Sequence, residues 1–250
     1  MRPEEYHALD AVEAEHWFYA GKRAIARAWI ERLRPLRRDD LLVDVGAGTG
    51  RFLEELGGHC RSVGIEPSPV ALAIAGRRSG ALVRGDALEL PLASGVAAVV
   101  TALDVIEHLE DDRGAVAELA RVTRPGGLLV LNVPASDALW SDWDVALGHR
   151  RRYRRRTLLA VFAGSGLCVV HCAYANPWLY LPMLLYRRAR TAAGSGGSKR
   201  LEDRVPPRPL NRALYALFTA SGSAPWFRPP FGSSLFVVAR RSGAPGAGDA

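Results

Sequence analysis

Only three cysteines occur in the 250 residues, Cys60, Cys168 and Cys172. Their number and spacing exclude a disulfide framework and a four-thiolate zinc site, and they fit a reducing, cytoplasmic setting. Cys168 and Cys172 stand in a segment that alternates like a strand, which predicts core packing for both. Lysine is almost missing too: Lys22 and Lys199 are the whole supply, so the net charge of +7 rests on arginine. A coding bias toward arginine produces that without selection for binding, so composition alone does not imply a nucleic-acid partner. No uninterrupted apolar run of about 18 residues is found, which argues against a spanning helix. The nearest, residues 167–186, is broken by His171, Asn176, Pro177 and Pro182. Glu4, Glu5, His7 and Asp10 interrupt any basic-then-apolar leader pattern at the start. No internal repeat is evident.

What the chain does have is an ordinary globular composition, 48% hydrophobic and 24% charged, enough to bury a core. Residues 1–38 read as a helical cap, because Ala24, Ile25, Ala28, Trp29 and Leu33 recur at helical spacing before Pro35. Short apolar runs at 41–45, 61–65, 81–84, 96–102 and 127–133 then alternate with helical segments at 50–57, 68–77 and 112–123. That rhythm predicts an α/β fold, a parallel sheet with helices on both faces. Right-handed crossovers gather the strand-to-helix loops along one edge, where ligands bind. Residues 134–156 read as a polar and aromatic loop, 157–164 as a helix and 167–174 as a strand. Residues 176–230 read as an insertion that makes an acceptor pocket, with 193–198 a flexible link. A last strand is expected at 234–239, within a domain spanning 39–240, and a disordered tail at 241–250.

Asp44-Val45-Gly46-Ala47-Gly48-Thr49-Gly50 sits between a strand and a helix. Glycine is required there if the backbone turns with positive φ or a ligand approaches it closely. Glu66, about twenty residues on at a strand end, is placed to accept the hydroxyls of a ribose. Asp86 ends the third strand, where a carboxylate or nearby amides can hold an adenine amine. The series resembles the class I S-adenosylmethionine-dependent methyltransferases, the bacterial type-11/12-like subgroup in particular. Asp44–Gly50 matches that family's first motif; Glu66, Asp86 and Asp104-Val105-Ile106-Glu107-His108-Leu109 match the next three, and Arg124-Pro125-Gly126-Gly127 the turn before the fifth strand. Dinucleotide-binding proteins more often carry GxGxxG.

The resemblance implies a Rossmann-like, seven-stranded, mostly parallel sheet whose last strand is antiparallel. It implies S-adenosylmethionine over Gly46, Ala47, Gly48 and Gly50, with S-adenosylhomocysteine as product. Asp44 would face the amine end, Glu66 and Pro67 the ribose, Asp86 and Ala87 the adenine, with Leu103, Asp104, Val105 and His108 alongside. Glu15–Arg23 resembles the subgroup's N-terminal box, which brings Trp17, Lys22 and Arg23 to the cofactor's methionine end. Asp104, Glu107 and His108 match the spacing by which some relatives hold a metal, but Leu109-Glu110-Asp111-Asp112 follows where a further histidine is needed; no metal is expected. His149 and, second, His108 are the candidate catalytic bases. Trp140, Trp143, His149, Arg151, Tyr153 and Tyr180 are the candidate acceptor contacts, with the arginines of 150–156 suited to an anionic group.

The expectation is methyl transfer to oxygen on a small molecule, a secondary metabolite or lipid-linked glycan intermediate, in the cytoplasm. A methyltransferase reading RNA phosphates and a cofactor fold that has lost methyl transfer are the alternatives; no nucleic-acid partner is expected. The aromatic stretch from Trp178 to Arg188 suits a lid over the acceptor, a homodimer contact or peripheral membrane contact.

Overall fold

The computed structural model describes residues 2–78, 81–192 and 204–243. Two helices, α1 (Pro3–Val12) and α2 (Trp17–Leu33), precede β1 (Leu41–Val45), so the expected cap is a helix pair broken at 13–16. Alternation follows: α3 (Arg51–Leu56), β2 (Arg61–Glu66), α4 (Pro69–Ala75), β3 (Ala81–Arg84), β4 (Ala97–Leu103), α5 (Asp112–Val122) and β5 (Thr123–Pro134). The remainder is α6 (Asp142–Leu147), α7 (Arg155–Val161), β6 (Leu167–Ala175), α8 (Tyr180–Ala192), α9 (Arg208–Ser223) and β7 (Ser234–Arg241).

The sheet has seven strands in the order β3-β2-β1-β4-β5-β7-β6, and β7 runs antiparallel to both neighbours. Strand order reverses between β1 and β4, so a crevice opens above their carboxyl ends. Period-two alternation sorts the central strands into two cores. Val43, Val100, Leu129, Leu131 and Val237 pack on the face carrying α5 and α7. Leu42, Val99, Leu128, Val130 and Val238 pack on the other face, against Ile25 and Trp29 of α2 and Phe218 of α9. Because both faces are covered, β4 reads as a nearly unbroken apolar run, buried from Ala97 to Ala102.

The last third departs from the sequence reading in four places. The expected loop at 134–156 contains α6, a six-residue helix whose first turn is closed by the Ser141 amide donating to Asp144, 2.9 Å. It is too short to show periodicity. The expected pocket insertion divides: α8 contributes to the cavity, but α9 lies along α2. Gly21 of α2 leaves room for the Phe218 ring and Gly222 of α9 for Ile25; an added Cβ would fall 2.5 and 2.4 Å from them. The Trp29 indole N–H donates to the Gly222 carbonyl, 2.8 Å. Arg241, expected in a tail, is the end of β7, and its guanidinium donates to the carbonyls of Ala120, Arg121 and Thr123 where α5 ends. Residues 244–250 and the expected link at 193–198 lie outside the described residues. Finally, Cys60 and Cys172 are buried but Cys168 is exposed beside Ser242, because the register of β6 shifts between Val169 and His171 and puts the two cysteines on opposite faces. Among the described residues no helix is long and apolar enough to cross a membrane.

At the sheet's centre the Thr101 hydroxyl of β4 donates to Asp44 of β1, 2.6 Å. Burial pushes the Asp44 carboxyl up to about 7; Glu66 adds to the rise, and the Thr101 bond and Arg23 oppose it. The folded chain thus keeps that proton up to about pH 7, whereas the unfolded chain releases it near the ordinary 3.8, so stability falls as pH rises through this window and levels above it. Asp44→Asn keeps an acceptor for Thr101 without the charge. In chemical denaturation of the ligand-free protein it should gain more than about 1 kcal/mol over wild type at pH 8 and nothing at pH 4. A constant difference across that range would mean an unshifted Asp44. Phe218→Ala should cost about 3–5 kcal/mol in the same measurement; a loss within about 1 kcal/mol would detach α9 from the core.

Candidate active site

A cavity of about 460 Å³ occupies the crevice above β1 and β4. Its floor is the glycine turn. Gly46, Gly48 and Gly50 have φ of +70°, +54° and +79°, and a Cβ on Gly46 would lie 2.5 Å from Val105 Cγ2. Glycine at 46 therefore serves both the turn and the close approach of the loop after β4. The amides of Gly46 and Ala47 both donate to the Ile65 carbonyl, at 2.8 and 3.1 Å, which locks the turn to β2.

Glu66, at the end of β2, is buried against this turn. Its carboxylate accepts from the amides of Gly48 (2.9 Å) and Ser68 (3.0 Å) and from the Tyr6 hydroxyl (3.2 Å). Tyr6 brings α1 over the cavity, and burial, with the Glu66 charge next, pushes its own hydroxyl up to about 12. Asp86 stands at the far wall, exposed, its carboxylate accepting from the Leu88 amide at 2.9 Å. At the opposite end Lys22 pairs with Asp104, a residue held at φ +56°, and its ammonium lies 4.3 Å from the Phe18 ring centre. Arg23 also reaches the cavity, with its guanidinium on Glu55 (2.9 Å) and the Glu13 carbonyl (2.8 Å).

Beyond Asp104 the cavity is organised by a fully buried carboxylate, Asp144 of α6. Arg152 grips it with two hydrogen bonds, 2.8 and 3.0 Å, and His149 Nδ1 lies 2.8 Å from it. Burial raises the Asp144 carboxyl, but the His149 bond and the Arg152 charge outweigh it and hold the group down at about 2. An ionised carboxylate only accepts, so His149 Nδ1 carries the proton and Nε2 is its basic nitrogen. The His108 ring stands edge-on to His149, 4.8 Å between centres, with Nδ1 near the Gly148 carbonyl, 3.3 Å. Burial, with His149 next, lowers His108 to about 4, so it is a neutral imidazole. Arg187 of α8 lies against the Leu139 carbonyl, 3.8 Å from Asp144, and with Met183 closes this end.

Of the sequence-predicted cofactor residues, Lys22, Arg23, Asp44, Gly46, Ala47, Gly48, Glu66, Pro67, Asp86, Ala87, Leu103, Asp104, Val105 and His108 line this one cavity. Gly50 does not; it begins α3, where its Cβ would press on Ala75 at 3.0 Å. Trp17 does not either: its ring meets Phe218 in the α2–α9 seam. Of the acceptor candidates, Trp143 and His149 face the cavity. Arg151 and Tyr153 point the other way, both onto Asp112, at 2.9 and 2.8 Å, because the extended chain after α6 alternates its side chains. Trp140 is an exposed residue outside the cavity, and Tyr180 bonds Ser136 (2.9 Å) beside Phe231. Sequence reasoning missed Tyr6, Glu13, Met183 and Arg187. The last two are four apart on one helix face, a signal that the expectation of a loop-like insertion hid.

Glu107, His108 and His149 bring one potential metal-ligand atom each within 4.8 Å of one another. Glu107 is fully buried and neither carboxylate oxygen has a hydrogen-bond partner. Burial, and next the Asp104 charge, push its carboxyl well above the usual carboxylate range. Asp104, expected in such a set, is held by Lys22.

Residues 43–131 match the family described as methyltransferase domain. An uncharacterized methyltransferase of Mycobacterium leprae is 35% identical over 97 residues, 37% of this chain and 36% of that protein. One of Mycolicibacterium gilvum is 32% identical over 155 residues, 52% of this chain and 60% of its own. The chain thus spans between about a third and three fifths of the length of these curated relatives. Among solved structures, a chain of the Haloferax volcanii complex containing the Trm112 methyltransferase activator superposes with a TM-score of 0.64 at 20% identity, covering 98% of this chain and 97% of that one. A geranyl diphosphate methyltransferase bound to S-adenosylmethionine gives 0.58 at 18% identity, covering 88% and 85%. Residues 43–131 thus match a methyltransferase domain, and the chain as a whole shares the fold of these solved structures, with its glycine turn at the crevice.

Proposed function

We propose that this protein transfers a methyl group from S-adenosylmethionine to an oxygen of a small acceptor carrying an anionic group. The observation that carries the reading is the joining, in one cavity, of a glycine turn capped by Glu66 to a histidine whose tautomer is fixed by a buried carboxylate. The residues present fit the cofactor: at Gly48 an added Cβ would meet only the Gly46 carbonyl, 3.9 Å away, so the backbone there is open to a ligand, and Glu66 and Asp86 place carboxylates along the cavity wall. Glu66 would take the ribose hydroxyls, Asp86 and Ala87 the adenine, and Lys22, Asp104 and Asp44 the methionine end. Bound there, S-adenosylmethionine supplies a methyl group activated by its sulfonium.

His149 Nε2 takes the proton from the acceptor hydroxyl, and Asp144 stabilises the imidazolium that results while holding the ring in place. Arg150, Arg152 and Arg187 give the acceptor end a positive field suited to a phosphate or carboxylate on the substrate. Two further arginines of the run are engaged within the fold: Arg151 holds Asp112 and two carbonyls, and Arg155 donates to the Cys172 carbonyl. That disposition speaks against reading a nucleic-acid backbone through these residues.

Glu66→Gln should weaken S-adenosylmethionine binding at least about tenfold in calorimetry; an unchanged affinity would remove Glu66 from the ribose. His149→Ala should lower turnover by about 10²–10⁴-fold while leaving cofactor affinity nearly intact. Turnover equal to wild type would exclude His149 as the base. The lone carboxylate of Glu107 favours one second reading, in which it joins His108 and His149 around a divalent ion. Exhaustive chelation discriminates: acid–base catalysis by His149 predicts no loss of activity. Loss restored by a divalent metal would make His149 a ligand instead.

A further inference from the structure

Away from the catalytic residues, the segment between β6 and α8 meets the segment between α9 and β7. Trp178 stacks on Phe227 with ring centres 5.5 Å apart, Phe227 meets Trp226 at 5.9 Å, and Tyr180 meets Phe231 at 5.2 Å. These rings are not core: Trp226 is 81% exposed, Trp178 48% and Phe231 47%. On α8, Leu181 and Leu185 stand one turn apart on the outer face, 58% and 60% exposed, while Met183 and Arg187 face the cavity. Beside the rings, Arg228 and Arg155 line a surface recess with Tyr174, Pro229 and Pro230. Arg228 is exposed and, among the described residues, makes no hydrogen bond or ion pair.

We infer that this surface docks the protein on an anionic lipid bilayer, with the aromatic rings and the outer leucines of α8 at the acyl boundary and a lipid phosphate between Arg155 and Arg228. Charge decides the occupant. No aspartate or glutamate occurs in residues 176–192 or 204–243. A second copy would bring the same basic surface and be repelled, whereas an anionic leaflet is complementary. Tryptophan and tyrosine supply an apolar body with a polar edge, the chemistry of the headgroup level. An arginine near the surface contributes about 1 kcal/mol toward anionic lipid. This docking is independent of the methyl-transfer reading.

Flotation of the full chain with vesicles tests it, using phosphatidylcholine alone and phosphatidylcholine mixed with phosphatidylglycerol in equal parts. The protein should float with the mixed vesicles and remain behind with the neutral ones. Trp226→Ala and, separately, Arg228→Glu should each weaken that binding about tenfold or more, while circular dichroism and S-adenosylmethionine affinity stay as in wild type. Arg38→Glu, a reversal of an exposed arginine remote in sequence from the patch, should leave binding unchanged. Absence of flotation, equal flotation with both vesicles, or equal loss in the Arg38 variant would overturn the proposal. So would a dimer in sedimentation velocity that dissociates on Trp226→Ala, which would assign the patch to a second copy.

Discussion

The structure depends on how closely the backbone at residues 46–48 passes to its neighbours. A side chain at Gly46 would collide with Val105, so the turn after β1 and the loop after β4 can meet only through glycine. That contact sets the depth of the crevice. It also brings the Gly48 amide within reach of Glu66, which in turn collects the Ser68 amide and the Tyr6 hydroxyl. Three chain segments distant in sequence are thereby fixed around one carboxylate. Donors surround the buried Glu66 side chain, which is what burying so polar a group requires.

The other end of the cavity follows the same electrostatic logic with another carboxylate. Asp144 is out of contact with water, so its charge persists only because Arg152 and His149 supply donors in fixed directions. Orientation of the imidazole is therefore a by-product of satisfying a buried ion. Glu107, a short distance away, shows the opposite case: without donors, burial pushes its carboxyl well above the usual carboxylate range.

The glycine-turn end of the cavity was legible in the sequence because it depends on local chemistry. Positive φ demands glycine, a strand end places a carboxylate at a set distance, and a parallel sheet puts those ends on one edge. The end around Asp144 and His149 was not, since it is made of long-range contacts. Nothing local distinguishes Arg151, turned to Asp112, from Arg152, turned to Asp144. Trp17 resembled a cofactor residue, yet its nearest partners lie some two hundred positions downstream, Asn211 and Phe218. Phe218 itself gave no warning, because α9 also carries Leu210, Tyr215 and Leu217 exposed, so its apolar residues do not by themselves mark the face that meets α2.

The position of β7 has a consequence for synthesis on the ribosome. Among the described residues it is the last strand in the chain, yet it lies between β5 and β6 and pairs with both. Until its residues emerge, the edge of β5 stays open and β6 has no place in the sheet, so the nascent chain carries two unpaired strand edges at once. The face of α2 that meets Phe218 stays uncovered over the same interval. Closure of this side of the sheet therefore waits for β7, and α9, made just before it, covers α2 at that stage.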